Sequence, residues 1–179
     1  MILSDFDLLN MIRNGRLKIE PFDEEIVREN GIDFRLAEEV AHHKEMPNDF
    51  IMDPADENSI SNSYLLAKDA SSMIIGPHEQ VLLSTYESIS MPDDIAGIVE
   101  LRSTWARHGL SMPPTIIDAG FKGTVTLEVF NNAPYKIKLR PMVRFAHVVF
   151  AKTTSKVQRP YSGIYNEQRG IKLPKVIKE

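Results

Sequence analysis

The 179-residue sequence predicts a mainly β protein with a short N-terminal helix and an extended C-terminal arm. Short segments rich in Val, Ile, Thr and Phe recur along the chain, and clusters of Pro, Gly and Asn or Asp separate them. One run of apolar residues at helical spacing lies near the N-terminus, and prolines and glycines are spread through residues 160–174. A series of short strands with frequent turns is typical of a sandwich, a jelly roll or a barrel.

The first predicted element is a helix over residues 5–14. Ser4, followed three residues later by Asp7, is a start that resembles a capping box. Apolar residues within 8–12 recur at helical spacing, and Gly15 can end the helix in a left-handed conformation.

Six short strands are predicted after this helix, because each segment is bounded by turn residues. The polar stretch 46–63 has no clear period and is expected to be a long surface loop. The chain should therefore consist of a β body, residues 1–158, and an extended arm, residues 159–179. The six strands are predicted over residues 31–36, 80–85, 95–101, 123–130, 135–139 and 143–151.

Cysteine is absent from the sequence, and 42% of the residues are apolar. The lack of cysteine excludes a disulfide scaffold, a thiolate zinc site, an iron–sulfur cluster and a cysteine nucleophile. No apolar run approaches the roughly 18 residues that span a bilayer, and residues 1–4 are too short to open a secretory signal. We therefore expect a cytoplasmic protein with no membrane partner.

The formal net charge of −4 argues against general binding to nucleic acid. The charge is uneven, because residues 152–179 hold seven Lys or Arg and two Asp or Glu and so carry +5, which leaves about −9 for the rest. A basic tail on an acidic body is compatible with a solvated end, an arm that binds a partner, or a clamp for a small polyanion.

Several common sites are not indicated by the sequence. The glycines form neither a dinucleotide-binding fingerprint nor a P-loop. His42, His43 and His78 lack partners at metal-ligand spacing and are expected at the surface. His43 and Glu45 have the H-x-E form of the zinc deaminases, whose site also needs cysteines that this chain lacks. His147 falls on a predicted strand and is expected to have satisfied hydrogen bonds.

The segment 100–110 can form a phosphate-binding turn. A strand is expected to end here, and Ser103 can cap a short helix that stops at Gly109. The free N–H groups of such a helix start, with Arg102 beside them, suit a phosphate, and Arg107 lies on the same helical face as Ser103. The alternative is an ordinary capped turn with two solvated arginines.

Two carboxylates follow in the next segments. Alternation along strand 123–130 places Glu128 in mid-strand, on the opposite face from the aliphatic residues. Burying a carboxylate there is costly unless it is paired or functional, and Arg102 or Arg107 would be natural partners. Alternatively, Glu128 lies on the solvent face of an outer strand, and Asp118 simply begins a turn.

Taken together, these segments resemble the family of dCTP deaminases and dUTPases, especially its archaeal branch. Each motif is weak alone, but five in the same order are specific, and the likeness covers most of the chain. The motifs are Met-Ile-Leu-Ser-Asp at the start, Asn30-Gly-Ile-Asp-Phe-Arg-Leu36, Arg102-Ser-Thr-Trp-Ala-Arg-His-Gly-Leu110, Ile117-Asp-Ala-Gly-Phe-Lys-Gly123 with Glu128 beyond, and Tyr165-Asn-Glu-Gln-Arg-Gly170.

The resemblance implies a dUTPase-like jelly roll or distorted β-barrel that forms a homotrimer with active sites between subunits. It implies dCTP or dUTP as substrate and Mg²⁺ carried by the triphosphate, with neither a protein metal cage nor zinc. Nucleic acid and membranes are not expected partners.

Matched by motif, four residues would be catalytic. Glu128 fills the position of the deaminase carboxylate, and Arg107 would support the reacting centre. Ser103 would hold phosphate and could fix the attacking water with its hydroxyl. Asp118 would contact the deoxyribose or the water.

The remaining motif residues would bind the triphosphate. Arg102 would hold phosphates together with Ser103, and Tyr165 and Gln168 of the arm would close over the triphosphate from a neighbouring subunit. Ile164 stands where the deaminase arm usually has Lys, so Arg169 could supply that contact.

The resemblance leaves more than one reaction open. Deamination of dCTP to dUTP and ammonia needs a carboxylate that cycles between protonation states, and Glu128 suits that task. Hydrolysis of dUTP to dUMP and pyrophosphate, which supplies dUMP for dTTP synthesis, needs water aimed at the α-phosphorus, and Asp118 suits that task better. The chain could catalyse the first reaction, both, or the second alone. It could also be a nucleotide-binding module without turnover, or a purely structural trimer.

Overall fold

The structure, a computed structural model, describes residues 1–176. Helices are α1 (Asp5–Arg13), α2 (Glu57–Asn62) and α3 (Ser103–Arg107). Strands are β1 (Lys18–Glu20), β2 (Val27–Arg28), β3 (Gly31–His43), β4 (Tyr64–Ala67), β5 (Met73–Ile75), β6 (Gln80–Thr85), β7 (Ser88–Ser90), β8 (Ile95–Leu101), β9 (Leu110–Ser111), β10 (Thr115–Ile117), β11 (Lys122–Gly123), β12 (Thr126–Asn131), β13 (Ile137–Leu139) and β14 (Arg144–Lys152). The predicted mainly β architecture with a short N-terminal helix is confirmed.

Nine strands form one large sheet in which β3 connects two halves. The order is β10-β8-β14-β3-β6-β12-β9, and β2 and β4 also pair with β3. The first part of β3 pairs with β14, and its second part pairs with β6 and β4. The register of β3 against β6 shifts between Leu36 and Val40, and such an irregularity bends a strand. The bend lets the sheet curl around the core.

The two faces of β12 have different environments. Leu127 and Val129 are fully buried in the main core. Glu128 lies on the other face, directly opposite Leu82 of β6. Leu82 in turn pairs with Ala41 of β3. The β12 alternation predicted from the sequence therefore holds, and Glu128 lies among strands on the face away from the main core.

The N-terminal helix begins as the sequence indicates. The Ser4 hydroxyl accepts a hydrogen bond from the Asp7 N–H at 3.4 Å, and the Asp7 carboxylate accepts from the Ser4 N–H at 3.2 Å. Together these two bonds form a capping box. Gly15 follows the helix with a φ of +75°, the left-handed region that favours glycine.

Other elements differ from the sequence predictions. Predicted strands 80–85 and 95–101 coincide with β6 and β8, whereas β3 extends to His43. The predicted strand 123–130 is interrupted at 124–125, because these N–H groups bond to the Gln168 carbonyl and the Thr85 hydroxyl. The predicted loop 46–63 contains α2, because the Asp56 carboxylate accepts hydrogen bonds from two N–H groups of its first turn.

Ser103 does not cap α3 as expected. Arg102 is the N-cap residue, without a side-chain cap, and its N–H continues the sheet by bonding to the Phe145 carbonyl at 3.1 Å. The helix therefore begins one residue earlier than a Ser103 cap would require, and Ser103 becomes the first helical residue.

This difference predicts unequal effects of two serine substitutions. Ser4→Ala removes a capping hydroxyl and should lower the free energy of unfolding by about 1 kcal/mol. Ser103→Ala removes no cap and should leave the free energy of unfolding unchanged. Urea denaturation followed by circular dichroism measures both, and equal losses would contradict the assigned helix starts.

Candidate active site

A cavity of about 360 Å³ lies on the face of β12 that carries Glu128. It is enclosed by β12, by the end of β10 and by the part of the arm that the structure describes, residues 159–176. Four residues predicted from the sequence line it together. These are Asp118, Glu128, Tyr165 and Gln168.

Glu128 is a half-buried carboxylate without a basic partner. Its strand lies between β6 and β9 in the sheet order, and at Glu128 it pairs with β6, because β9 pairs only with residues 130–131. Burial raises the pKa of its carboxyl group above the usual value, and a hydrogen bond from its own backbone opposes this only in part. Within residues 1–176, no Lys, Arg or His lies within 4.0 Å of the Glu128 carboxylate. A carboxyl group with a raised pKa suits a proton that must be taken up and returned.

Asp118 both begins a turn and lines the cavity. Its carbonyl accepts a hydrogen bond from the Phe121 N–H at 3.1 Å, which closes the turn after β10. Gly120 occupies this turn with a φ of +89°, and the Pro160 side chain lies where a Cβ would be. The Asp118 side chain is exposed at the cavity. Asp118 can therefore both begin a turn, through its backbone, and act in the cavity, through its side chain.

The arm is hydrogen-bonded to its own chain, and a contact of Tyr165 and Gln168 with a neighbouring subunit stays a prediction. The Glu167 N–H donates to the Lys122 carbonyl at 2.7 Å, and the Thr124 N–H donates to the Gln168 carbonyl at 3.1 Å. These two hydrogen bonds hold the arm alongside β11 and the residue that follows it. As a result, both arm residues lie over the cavity of the chain that supplies Glu128.

Gln168 is anchored by its side chain as well. Its amide nitrogen donates to the Thr124 carbonyl at 2.5 Å, and its amide oxygen is buried without a hydrogen-bond partner within residues 1–176. This residue fixes the arm to the strand end. Its contact with a triphosphate stays a prediction.

Arg102 and Ser103 line a different cleft, of about 350 Å³. Ile117, next to Asp118, pairs with Gly97 on β8, and Arg102 follows Gly97 by five residues. At about 3.3 Å per residue, Arg102 therefore lies about 17 Å along the strand from the level of Ile117. The predicted site residues thus form two groups on one chain. Arg107 belongs with the second group, on the exposed surface of α3.

A buried carboxylate that the sequence did not single out organises this second group. Asp33, 2% exposed, forms an ion pair with the Arg102 guanidinium, whose Nε lies 3.2 Å away, and a hydrogen bond with the His147 Nδ1 at 2.9 Å. The Arg102 Nη1 also donates to the Arg144 carbonyl at 3.2 Å. The sequence had suggested that Arg102 pairs with Glu128. Within this chain, Arg102 pairs with Asp33 instead. His147 has the satisfied side chain that was expected.

Removal of the Asp33 charge should destabilise the fold. Asp33→Asn would leave a neutral amide beside Arg102, His147 and the Arg144 guanidinium, which lies 3.9 Å from the Asp33 carboxylate. We expect the free energy of unfolding to fall by about 2 kcal/mol. Asp93→Asn is the control, because Asp93 pairs with Lys156 on an exposed surface where such pairs contribute little. Equal losses of denaturant stability in the two variants would contradict the role of Asp33.

The remaining predicted positions lie outside the cavity. Arg169 is exposed and is not among the residues that line it, so its phosphate contact stays a prediction. Ile164 is 58% exposed and faces α2. His42 contacts the Glu79 carboxylate at 2.6 Å. Residues 1–176 hold no group of three or more His, Asp or Glu arranged to bind a metal ion. No helix in that range is long and apolar enough to cross a membrane.

Comparison with known proteins connects this cavity to a family. Residues 2–153 match the sequence profile of a family described as dCTP deaminase-like. The chain belongs to this family. The match covers α1 and every strand of the sheet, and therefore both groups of predicted site residues apart from the arm.

Relatives within the dCTP deaminase-like family cover nearly the whole chain. A protein of Ignicoccus hospitalis named dCTP deaminase is 45% identical over 98% of this chain and 98% of its own length. One of Saccharolobus solfataricus with the same name is 44% identical over 98% of this chain and 92% of its own length. The arm is therefore part of the shared sequence.

The fold is shared with a solved structure. The 2′-deoxycytidine 5′-triphosphate deaminase of Agrobacterium tumefaciens aligns with 83% of this chain at a TM-score of 0.65 and 18% identity. The alignment spans 46% of that longer chain. At 18% identity, this likeness shows that the two proteins share a fold.

Proposed function

We propose that this protein deaminates dCTP to dUTP and ammonia, without zinc. The observation that carries the proposal is Glu128, a half-buried carboxylate with a raised pKa in a cavity of suitable size. The relatives named dCTP deaminase, at 44–45% identity over nearly the whole chain, support the substrate. The complete absence of cysteine supports a reaction without the His/Cys/Cys zinc site of other nucleobase deaminases.

The proposed chemistry needs one carboxylate. Glu128 takes a proton from water as the oxygen attacks C4 of the cytosine, and passes this proton to the ring nitrogen N3. The tetrahedral intermediate then carries a hydroxyl group on C4, and Glu128 moves the hydroxyl proton to the exocyclic amino group. The C4–N4 bond breaks as the C4=O bond forms, and ammonia leaves, which produces dUTP. The Ser103 hydroxyl and the Arg107 charge would hold the water and stabilise the intermediate.

We further propose that the site forms between subunits of a homotrimer. Ser103 and Arg107 are exposed, and Arg102 beside them lies about 17 Å along β8 from the level of Ile117, so one chain does not bring them to Glu128. A neighbouring copy can supply them, with Arg102 binding phosphate beside Ser103. Tyr165 and Gln168 would cover the nucleotide from the chain that holds Glu128. Mg²⁺ would arrive as part of the substrate, bound to the triphosphate.

Mixing two inactive variants tests the shared site. Arg107→Ala and Glu128→Gln should each be inactive, but random mixed trimers should recover both intact groups in about a quarter of the sites. Recovery of ammonia release after subunit exchange is the expected result. Mixed trimers that native mass spectrometry detects but that stay inactive would contradict a site between subunits.

Hydrolysis of dUTP to dUMP and pyrophosphate is the second candidate function. It is favoured by Asp118, an exposed carboxylate that lines the same cavity and could direct water at the α-phosphorus. The two reactions can occur in one cavity, because they use different carboxylates. The protein could then perform both reactions in sequence.

Product analysis separates the candidate functions. Protein with Mg²⁺ is given dCTP or dUTP, and ammonia, pyrophosphate and the nucleotides are measured by chromatography. Ammonia and dUTP from dCTP are expected. Release of dUMP from dUTP with dCTP untouched would identify a dUTPase instead. Saturable nucleotide binding without any product would indicate a binding module, and no binding would indicate a structural trimer.

Asp118→Asn, measured in the same way, tests whether Asp118 and Glu128 serve different reactions. If both reactions are observed, this variant should lose pyrophosphate release more than ammonia release. Equal losses would show that Asp118 acts in substrate binding common to both reactions.

A further inference from the structure

The charge of the cavity does not match a polyanionic substrate on the side that this chain supplies. Its acidic lining residues are Asp118 and Glu128. Among residues 1–176, Lys172 is the one basic residue that lines it. A nucleoside triphosphate that enters such a cavity meets two carboxylates and a single ammonium group.

Lys172 is held in position by its own backbone and by its neighbours. Its N–H donates to the Thr126 hydroxyl at 3.2 Å, on the strand that carries Glu128. Ile171 beside it is 7% exposed, packs with Ala41 and Leu82, and donates its N–H to the Glu39 carboxylate at 2.7 Å. These contacts fix the stem of Lys172 at the cavity wall.

The ammonium group of Lys172 is available for a ligand. Within residues 1–176, no carboxylate lies within 4.0 Å of it. Lys175 differs, because its ammonium donates to the Ile164 carbonyl at 2.7 Å and lies 6.0 Å from the centre of the Tyr165 ring. The exposed side chain of Arg169 does not line the cavity.

We propose that Lys172 binds the triphosphate of the substrate and makes the site selective for triphosphates. This inference rests on the proposed function and assigns a residue that sequence motifs did not indicate. A lysine ammonium binds phosphate oxygens as a point charge and forms charge-assisted hydrogen bonds with them. Through Lys172, the arm would contribute charge to the cavity as well as cover it.

The test uses Lys172→Met, which keeps the length of the stem and removes the charge. A charge-assisted hydrogen bond of ordinary strength predicts a rise in KM for dCTP of roughly ten- to a hundred-fold, with kcat changed by less than about three-fold. Lys172→Arg should retain most of the affinity. Lys138→Met, on the exposed side of β13, is the matched control and should behave like the wild type.

Deoxycytidine, which lacks phosphates, separates phosphate binding from a structural effect. Its slow deamination should proceed with the same kcat/KM in Lys172→Met as in the wild type. An equal loss for dCTP and deoxycytidine, or an unchanged KM for dCTP, would overturn the proposed role of Lys172.

The proposed function and this inference can fail separately. If the wild type turns over dCTP and Lys172→Met retains its KM, the inference alone fails. If the wild type binds dCTP with Mg²⁺ in calorimetry without turnover, the proposed function fails, and the dissociation constant of Lys172→Met decides the inference. If the wild type does not bind dCTP, both fail.

Discussion

Glu128→Gln should abolish dCTP deamination while leaving dCTP binding intact. An amide cannot take the proton from water or return it to the leaving amino group, so kcat should fall by about 1,000-fold or more. The side chains are nearly isosteric, and the change should not disturb the pairing of Glu128 with Leu82. Ammonia release measures the loss, and calorimetric titration with dCTP measures the retained binding.

The wild-type pH profile should report the same group. Burial raises the pKa of Glu128, and the attacking water needs its deprotonated form. The rise of kcat/KM with pH should therefore lie above the range of an ordinary glutamate. A profile that rises at the ordinary value would contradict the acid–base role of a buried Glu128.

The same substitution should stabilise the protein at neutral pH. Because the folded-state pKa of Glu128 is raised, the folded state binds more protons than the unfolded state between the two pKa values. The Glu128 carboxyl group therefore stabilises the folded state below its unfolded-state pKa, and this stabilisation is lost as the pH rises through its folded-state pKa. The glutamine of Glu128→Gln does not ionise, so the free energy of unfolding of this variant at pH 7 should exceed that of the wild type.

Glu79 supplies a control of opposite sign. Burial opposes its ionisation, but hydrogen bonds from His42 and the Gly76 N–H outweigh burial and lower its pKa. Its stabilisation is therefore present above the unfolded pKa and is lost as the pH falls through the folded pKa. Glu79→Gln should lower the free energy of unfolding at pH 7. If both variants shift stability in the same direction, the assigned environments of the two carboxylates are wrong.

Local patterns were sufficient to predict much of the fold. The capping box at Ser4 and the strands β6 and β8 depend on neighbouring residues, and the structure confirms them. The strand 123–130 was predicted as continuous, because its interruption depends on Gln168, far along the chain. The helix α2 was missed because residues 46–63 show no period.

The residues of the candidate site also divide into those that a local pattern indicated and those that depend on distant parts of the chain. Glu128 could be selected because a carboxylate in mid-strand is unusual among aliphatic residues. Asp33 occupies a similar position between Ile32 and Phe34, but its partner His147 is 114 residues away, so no local pattern connected them. Lys172 could not be selected, because only the path of the arm brings it to the cavity.

Removal of the arm after Pro160 should leave the β body folded and reduce kcat/KM for dCTP by at least about 100-fold. The truncation deletes the part of the cavity wall that carries Tyr165, Gln168 and Lys172. The main core, which α1 and the sheet form, keeps nearly all its residues. Activity measurements together with thermal melting distinguish a lost wall from a lost fold.

A single substitution in the arm should reproduce part of this loss. Gly170 has a φ of +64°, and a Cβ there would collide with the Glu39 carboxylate that receives the Ile171 N–H. Gly170→Ala should therefore detach the arm from Glu39 and raise KM for dCTP by about ten-fold. Gly15→Ala is the matched control, since Gly15 also has a positive φ, +75°, but has nothing within 4 Å of an added Cβ.

The two glycine variants separate backbone strain from closure of the cavity. Both should lose about 1 kcal/mol of stability from a left-handed alanine, but only Gly170→Ala should alter KM. If the arm acts only in the cavity of a neighbouring subunit, its attachment to Glu39 of the same chain is incidental to substrate binding. In that case Gly170→Ala would bind dCTP as tightly as Gly15→Ala does. A tenfold difference between the two variants would instead show that this attachment positions the arm for substrate binding.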